Sequence, residues 1–114
     1  MRFTRKFLIL YCIIYIMHFI TYAQQNKLSE NQRYFFNKFD SARIYENNDF
    51  KRSLSYLEEA KNIAEAQDRP DLLVKVWNQY GRNYLRIGIM DLAVDSYLES
   101  AAIIESFEKI PMED

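Results

Sequence analysis

Apolar residues recur at helical spacing from residue 28 to residue 108, without the alternation that is typical of strands. Ser29 and Gln32 match a capping box at the start of the first helix, and a polar Asn-Asn-Asp turn follows that helix. Pro70 is placed in the first turn of the third helix, and Gly88 stands at its end. The pattern predicts four helices, which run from Ser29 to the turn at 47–49, over about 50–67, over 71–87 and over about 91–107.

The last two predicted helices repeat the residue pattern of the two before them. A shift of 40 residues pairs small residues with small ones and large apolar residues with large apolar ones, and three of eight pairs are identical. Self-similarity of this kind predicts a tandem array of helix pairs. The pairs are Asn48 with Gly88, Phe50 with Met90, Ser53 with Ala93, Leu57 with Tyr97, Glu59 with Glu99, Ala60 with Ser100, Ile63 with Ile103 and Glu65 with Glu105.

Small and aromatic residues stand at fixed spacing in the second helix pair. They are Trp77, Tyr80, Gly81, Tyr84, Gly88, Ala93, Tyr97 and Ser100. This pattern resembles the tetratricopeptide repeat (TPR), with Tyr80 and Ser100 as mild departures. The first pair matches less closely, because Asp40 stands where an apolar residue is expected. The resemblance implies an all-α, TPR-like α-solenoid of about two antiparallel helix pairs, at residues 31–70 and 71–108.

The only two glycines of the protein fit this architecture. A glycine inside a helix costs roughly 1 kcal/mol relative to alanine, so Gly81 indicates a close approach between helices. The resemblance implies that Gly81 faces Ala93, where the two helices of the pair cross. Gly88 is expected to end its helix in a left-handed conformation, and Asn48 occupies the equivalent place in the first pair.

Residues 1–23 have the three zones of a secretory signal. Three basic residues are followed by an apolar run over 7–20, and small residues precede a cleavage site after Ala23. An uncleaved membrane anchor is the alternative, although the run is shorter than the roughly 20 residues that cross a bilayer and His18 interrupts it. We therefore expect an exported protein.

The composition of residues 24–114 excludes several classes of function. These 91 residues suffice for one small domain, and their 12 Lys and Arg against 16 Asp and Glu give a net charge of −4, which argues against nucleic-acid binding. The only cysteine and the only histidine, Cys12 and His18, lie in the signal segment. Residues 24–114 therefore lack the residues for a disulfide, a zinc cluster or a Ser-His-Asp or Cys-His catalytic set. We expect a non-enzymatic protein of the bacterial periplasm or cell envelope, without cofactor or metal.

The TPR resemblance implies one functional surface, the concave groove lined by the first helix of each pair. Lys38, Lys75 and Arg82 would make one wall of this groove basic, which favours an extended acidic peptide or the terminal carboxylate of a partner protein as ligand. Asn78 departs from the carboxylate-binding arrangement of the family, in which a lysine is expected. Carried over by position, the groove residues are Phe35, Lys38, Ala42 and Tyr45 in the first pair and Lys75, Asn78, Arg82 and Leu85 in the second, with Arg86 beside them.

The predicted fourth helix keeps an apolar outer face at Ile103, Ile104 and Phe107. A terminal repeat usually carries a polar outer face, and about three repeats are usually needed for stability. We therefore expect residues 24–30 to be a short leading segment and residues 109–114 to lead into further repeats. Self-association through the same three apolar residues is the alternative.

Exported 40-residue repeats resemble the sensory part of membrane-bound bacterial regulators. The preferred interpretation is therefore a protein or peptide interaction module at the amino-terminal end of a signal-transduction protein, such as a sensor kinase or a transcriptional regulator. A free-standing periplasmic scaffold that homo-oligomerises and an enzyme accessory domain remain as alternatives.

Overall fold

The computed structural model describes residues 2–108, and all regular structure in that range is α-helical. This confirms the all-α prediction. The predicted second, third and fourth helices each begin and end within one residue of the observed bounds. The helices are α1 (Arg2–Tyr45), α2 (Phe50–Ala66), α3 (Pro70–Arg86) and α4 (Met90–Glu108).

The predicted start of the first helix at Ser29 is wrong, because α1 begins at Arg2 and runs through Ser29. Residues 2–45 contain neither glycine nor proline. Once a helix has formed, each added residue contributes a hydrogen bond, so a capping sequence without a helix breaker does not stop it. The local signal at Ser29 is therefore overridden by propagation along α1.

The protein divides into two compact units, Met1–Arg33 and Tyr34–Asp114. In the first unit, the large apolar side chains from Phe7 to Tyr22 are exposed. The helix that carries them is long and apolar enough to cross a membrane, a test that a signal sequence also passes. These properties fit both the signal and the anchor interpretation of the N-terminus.

In the second unit, consecutive helices pack against each other, with α3 in contact with both α2 and α4. This arrangement has the character of a helical repeat. The rings of Phe35 and Phe39 stack with centroids 5.6 Å apart, and both belong to the core. Burial of each large apolar side chain stabilises the unit by roughly 1.5 to 3 kcal/mol. The buried apolar residues of this core are Phe35, Phe39, Ala42, Leu57, Ala60, Ala64, Leu72, Val76 and Tyr80.

Short polar turns join the helices of the second unit. Asp49 caps α2 by accepting a hydrogen bond from the backbone N–H of Arg52 at 3.1 Å. Pro70 begins α3, as predicted, and needs no N–H partner in the first turn. Gly88 has a φ of +80° between α3 and α4, which confirms its predicted left-handed conformation.

The expectation that Asn48 plays the role of Gly88 in the first helix pair is wrong. Among residues 2–108, the only non-glycine residue with a positive φ is Asp68, at 50°, in the turn between α2 and α3. After Tyr45 the backbone turns by donating the N–H groups of Asn48 and Asp49 to the Tyr45 carbonyl, at 3.3 and 2.9 Å. This turn closes without a left-handed residue.

Gly81 lies where α3 and α4 approach closely. A methyl group added at Gly81 would stand 2.7 Å from the Tyr97 ring, well inside van der Waals contact. The TPR resemblance implies that Ala93 lies opposite this glycine, whereas the nearest atoms belong to Tyr97. Helical side chains lean towards the N-terminus, so Tyr97 covers the surface of the turn that contains Ala93. The close approach is confirmed, but an aromatic ring fills it.

Candidate functional site

The second unit contains an open groove with a volume of about 370 Å³. Three of its lining side chains are cationic, namely Arg43, Lys75 and Arg82, and none of the lining residues is acidic. The local charge is therefore opposite to the net negative charge of residues 24–114. The lining residues are Phe39 and Arg43 from α1, Lys75, Asn78, Gln79 and Arg82 from α3, and Tyr97 from α4.

Three of the nine groove residues named from the TPR resemblance line this groove. Lys75, Asn78 and Arg82 do so because they share one face of α3 at spacings of three and four residues. Lys38, Tyr45 and Arg86 are not among its lining residues. Of the remaining residues named at the sequence level, Phe35 and Ala42 are fully buried in the core, and Leu85 is exposed.

Lys38 is engaged outside the groove. Its ammonium group forms an ion pair with Glu59 at 3.2 Å, and it also lies 5.8 Å from the centre of the Tyr56 ring. Tyr45 stacks on the same Tyr56 ring with centroids 5.9 Å apart, and the Arg52 guanidinium lies 4.3 Å from the centre of the Tyr45 ring. The α1 surface predicted to face a ligand is thus partly committed to packing against α2.

Arg43 and Gln79 line the groove but were missed by sequence reasoning. Arg43 lies four residues after Phe39 on α1, so the two share a helical face. The carry-over by family position selected residues one place earlier, at 38 and 42. The i, i+4 relationship between Phe39 and Arg43 is the signal that could have found it.

Glu46 collects three donors at the edge of the groove. Its side chain, only 9% exposed, forms ion pairs with Arg82 at 3.4 Å and with Arg86 at 3.5 Å, and it accepts a hydrogen bond from Gln79. A carboxylate this buried requires such charged partners. Glu46 therefore holds Arg82 in place, while the Arg82 side chain remains 57% exposed and faces the groove.

A buried polar network lies beneath the groove. The Gln79 amide donates to the Asn83 carbonyl oxygen at 3.0 Å, and the Asn83 amide donates to the Ser53 hydroxyl at 2.7 Å. Ser53 in turn donates to the backbone carbonyl of Ala42 at 2.6 Å. The network links α1, α2 and α3, and it anchors Gln79, which lines the groove.

The groove has the chemistry of a binding surface. It offers three cations and the Asn78 amide to hydrogen-bond acceptors, and Phe39 and Tyr97 supply apolar contact area. Within residues 2–108, no group of three or more His, Cys, Asp or Glu side chains is arranged to hold a metal ion. No family model, curated protein or solved structure matches the sequence or the fold.

Proposed function

We propose that this protein is a non-enzymatic, TPR-like interaction module whose second unit binds an extended acidic peptide. The observation that carries the proposal is the groove in which Arg43, Lys75 and Arg82 converge without an acidic lining residue. Cations held in fixed positions around a groove attract carboxylates and form charge-assisted hydrogen bonds with them.

The dimensions of the groove favour a short peptide segment. Lys75 and Arg82 are seven residues apart on α3, which corresponds to about 10 Å at 1.5 Å per residue. An extended peptide advances about 3.3 Å per residue, so about three residues span this distance. Acidic side chains at alternate positions, or one acidic side chain and a terminal carboxylate, would reach both cations.

The cellular setting is part of the proposal. Residues 1–23 are interpreted as a signal that directs the protein across a bacterial inner membrane, and residues 31–70 and 71–108 as TPR-like helix pairs. The apolar first unit and the spacing from Trp77 to Ser100 support these interpretations. In this setting the groove would report an envelope ligand to a sensor kinase or a transcriptional regulator.

A peptide titration of the full-length protein in nonionic detergent tests the binding proposal. The probe is a fluorescein-labelled hexapeptide with three glutamates, and fluorescence anisotropy gives its affinity. The same peptide with glutamine in place of glutamate is expected to bind at least about tenfold more weakly, because the cations then lack charged partners. Equal affinity for the two peptides would contradict the proposal.

Matched variants locate the binding site. The double change Arg43→Gln and Lys75→Gln removes two groove cations, and binding should fall by about tenfold or more. Lys51→Gln with Arg33→Gln removes the same charge from exposed positions outside the groove, and binding should fall by less than about twofold. Equal losses in the two variants would indicate a general charge effect instead of a site.

Self-association is the second candidate function, supported by the surface of α4. Ile104 and Phe107 are 45% and 47% exposed, whereas Ile103 is half-buried. Contiguous exposed apolar surface marks a missing partner, here either further repeats or a second copy. Sedimentation of the parent protein and of the variant with Ile104→Gln and Phe107→Ser tests this candidate. The two changes should dissociate an oligomer and leave acidic-peptide binding unchanged.

A further inference from the structure

A second groove, of about 320 Å³, lies between α2, α3 and α4 and differs from the first in chemistry. Trp77 and Tyr80 line it with ring centroids 5.4 Å apart, and Tyr84, which also lines it, stacks on Tyr80 at 6.2 Å. The carboxylates of Glu58, Asp95 and Glu99 line the same groove. We call this the aromatic groove, defined by Glu58, Trp77, Tyr80, Tyr84, Asp95 and Glu99.

The aromatic groove already contains a cation, since Lys61 is one of its lining residues. The ammonium group of Lys61 lies 5.5 Å from the centre of the Trp77 ring, within the distance of a favourable cation–π contact. Lys61 also forms an ion pair with Glu58 at 3.4 Å. The Trp77 ring is therefore positioned to bind a positively charged group, and Lys61 of the same protein occupies that position.

Lys61 does not balance the charge of the aromatic groove. Three carboxylates and this single cation line the groove, which gives the lining a net charge of −2. Among the described residues, Asp95 and Glu99 form no ion pair, and both are exposed on α4. They stand one turn apart on one helix face, at i and i+4, so both can reach one ligand group.

Tyr80 fixes the third carboxylate. Its hydroxyl donates to Glu58 at 2.9 Å. Burial, followed by the hydrogen bond to Glu58, raises the pKa of Tyr80 well above its usual value, so the phenol stays protonated and remains a donor. Glu58 is thereby oriented by both Tyr80 and Lys61.

We propose that the aromatic groove binds an arginine side chain on an extended segment of a partner protein. A guanidinium group is planar and weakly hydrated, so it stacks on aromatic rings and pairs with carboxylates at the same time. The aromatic groove supplies both partners, the rings of Trp77 and Tyr84 and the carboxylates of Asp95 and Glu99. The charge of the groove selects a basic partner, opposite to the acidic partner of the first groove.

Trp77 provides a direct measurement, because it is the only tryptophan in the protein and it lines this groove. The full-length protein in nonionic detergent is titrated with an acetylated, amidated hexapeptide that contains two arginines, and the tryptophan emission is recorded. We expect a saturable change that weakens as salt is added. The same peptide with citrulline, which is neutral and nearly isosteric, should bind at least about tenfold more weakly.

Two matched double variants locate the site. Asp95→Asn with Glu99→Gln should weaken binding of the arginine peptide by about tenfold or more. Asp91→Asn with Glu105→Gln removes the same charge from exposed positions of α4 outside the groove, and binding should change by less than about twofold. Equal binding of the arginine and citrulline peptides, or equal losses in the two variants, would overturn the proposal.

Lys61 gives a test of the opposite sign. Lys61→Met removes the resident cation from Trp77 but keeps an apolar stem of similar length, so the arginine peptide should bind more tightly. Weaker binding would contradict the proposal, because an arginine that stacks on Trp77 has to compete with the Lys61 ammonium group for that ring. If sedimentation instead shows a dimer that Asp95→Asn with Glu99→Gln dissociates, and the peptide does not bind, the occupant is a second copy and the proposal fails.

The two grooves are tested independently. The Arg43→Gln and Lys75→Gln variant should keep the Trp77 response to the arginine peptide, because neither residue lines the aromatic groove. Failure of acidic-peptide binding would thus leave the aromatic groove intact as a site. Failure of the arginine titration would likewise leave the first groove unaffected.

Discussion

The side-chain amide of Asn83 on α3 donates a hydrogen bond to the hydroxyl of Ser53 on α2, at 2.7 Å, and both residues are completely buried. The bond joins two helices whose other buried contacts are mainly apolar. A buried polar group that loses its partner retains the cost of leaving water. The pair is therefore a sensitive point of the second unit.

We predict that Asn83→Leu lowers the free energy of unfolding by about 1 to 3 kcal/mol, because Ser53 and Gln79 each lose a hydrogen-bond partner. Urea unfolding followed by circular dichroism measures the effect. The control is Asn62→Leu at an exposed position of α2, which should stay within about 0.5 kcal/mol of the parent protein. Similar values for both variants would show that the network does not stabilise the fold.

Gly81→Leu should destabilise the second unit by about 1 to 3 kcal/mol or more, because the new side chain would overlap the Tyr97 ring. Tyr97→Ala in the same protein makes room, so the double variant should lose less than the sum of the two single changes. Thermal unfolding of all four proteins forms a double-mutant cycle. Strictly additive losses would mean that the two residues do not compete for space.

Substitutions at Gly88 measure the free-energy cost of placing a side chain on a backbone with a positive φ. A Cβ at this position would meet no atom within 4 Å, so any loss comes from the positive φ alone. We expect Gly88→Ala to cost about 1 kcal/mol and Gly88→Asn to cost less, since asparagine tolerates the left-handed region. The asparagine variant should therefore melt at a higher temperature than the alanine variant. An alanine variant as stable as the parent would refute the prediction that the positive φ destabilises it.

The ion pair between Asp71 and Arg69 should make the free energy of unfolding depend on pH. Its carboxylate accepts two hydrogen bonds from Arg69, at 2.9 and 2.8 Å, and these lower the pKa of Asp71 below its usual range. A carboxyl group with a lowered pKa in the folded state stabilises above its unfolded pKa of about 4, and this contribution is lost as the pH falls below that value. Because the pair is exposed, the loss should stay below about 1 kcal/mol.

Asp71→Asn provides the comparison for the acid effect. The variant should be slightly less stable than the parent at pH 7, and the difference should shrink as the pH falls and Asp71 becomes protonated. Chemical unfolding at a series of pH values gives the difference. A difference that persists at low pH would assign the effect to packing instead of charge.

The export proposal predicts a new N-terminus. If residues 1–23 act as a cleaved signal, protein isolated from a bacterial envelope fraction should begin at Gln24, in open or cyclised form. Mass spectrometry of the intact protein decides between the alternatives. A membrane-bound protein that keeps residues 1–23 would establish the anchor interpretation.

The sequence predicted the last three helices well because each boundary carries a strong local signal. Asp49 caps α2, Pro70 starts α3, and Gly88 adopts the positive φ that separates α3 from α4. Each does so through its own backbone or side chain, without a tertiary contact. The start of α1 was missed because the signal at Ser29 competes with helix propagation on both sides.

The groove was predicted only in part because its lining depends on tertiary contacts. Lys75 and Arg82 were carried over by position from the TPR resemblance. The ion pair that draws Lys38 to Glu59 could not be foreseen in this way, because it connects α1 with α2 across 21 positions of sequence. The aromatic groove was missed for a related reason. Trp77 and Tyr80 were interpreted as packing residues, and nothing in their spacing shows that Asp95 approaches them from α4.

The network of Ser53, Gln79 and Asn83 also fixes the register of the helices. Sliding α3 by one turn along α2, about 5.4 Å, would move Asn83 away from Ser53 while leaving mostly apolar side chains in contact with each other. Apolar packing alone differs little in free energy between such alignments. An alignment that leaves the buried Asn83 amide without a hydrogen-bond partner is strongly disfavoured. One serine and one asparagine thus determine which cations of α3 arrive beside Arg43.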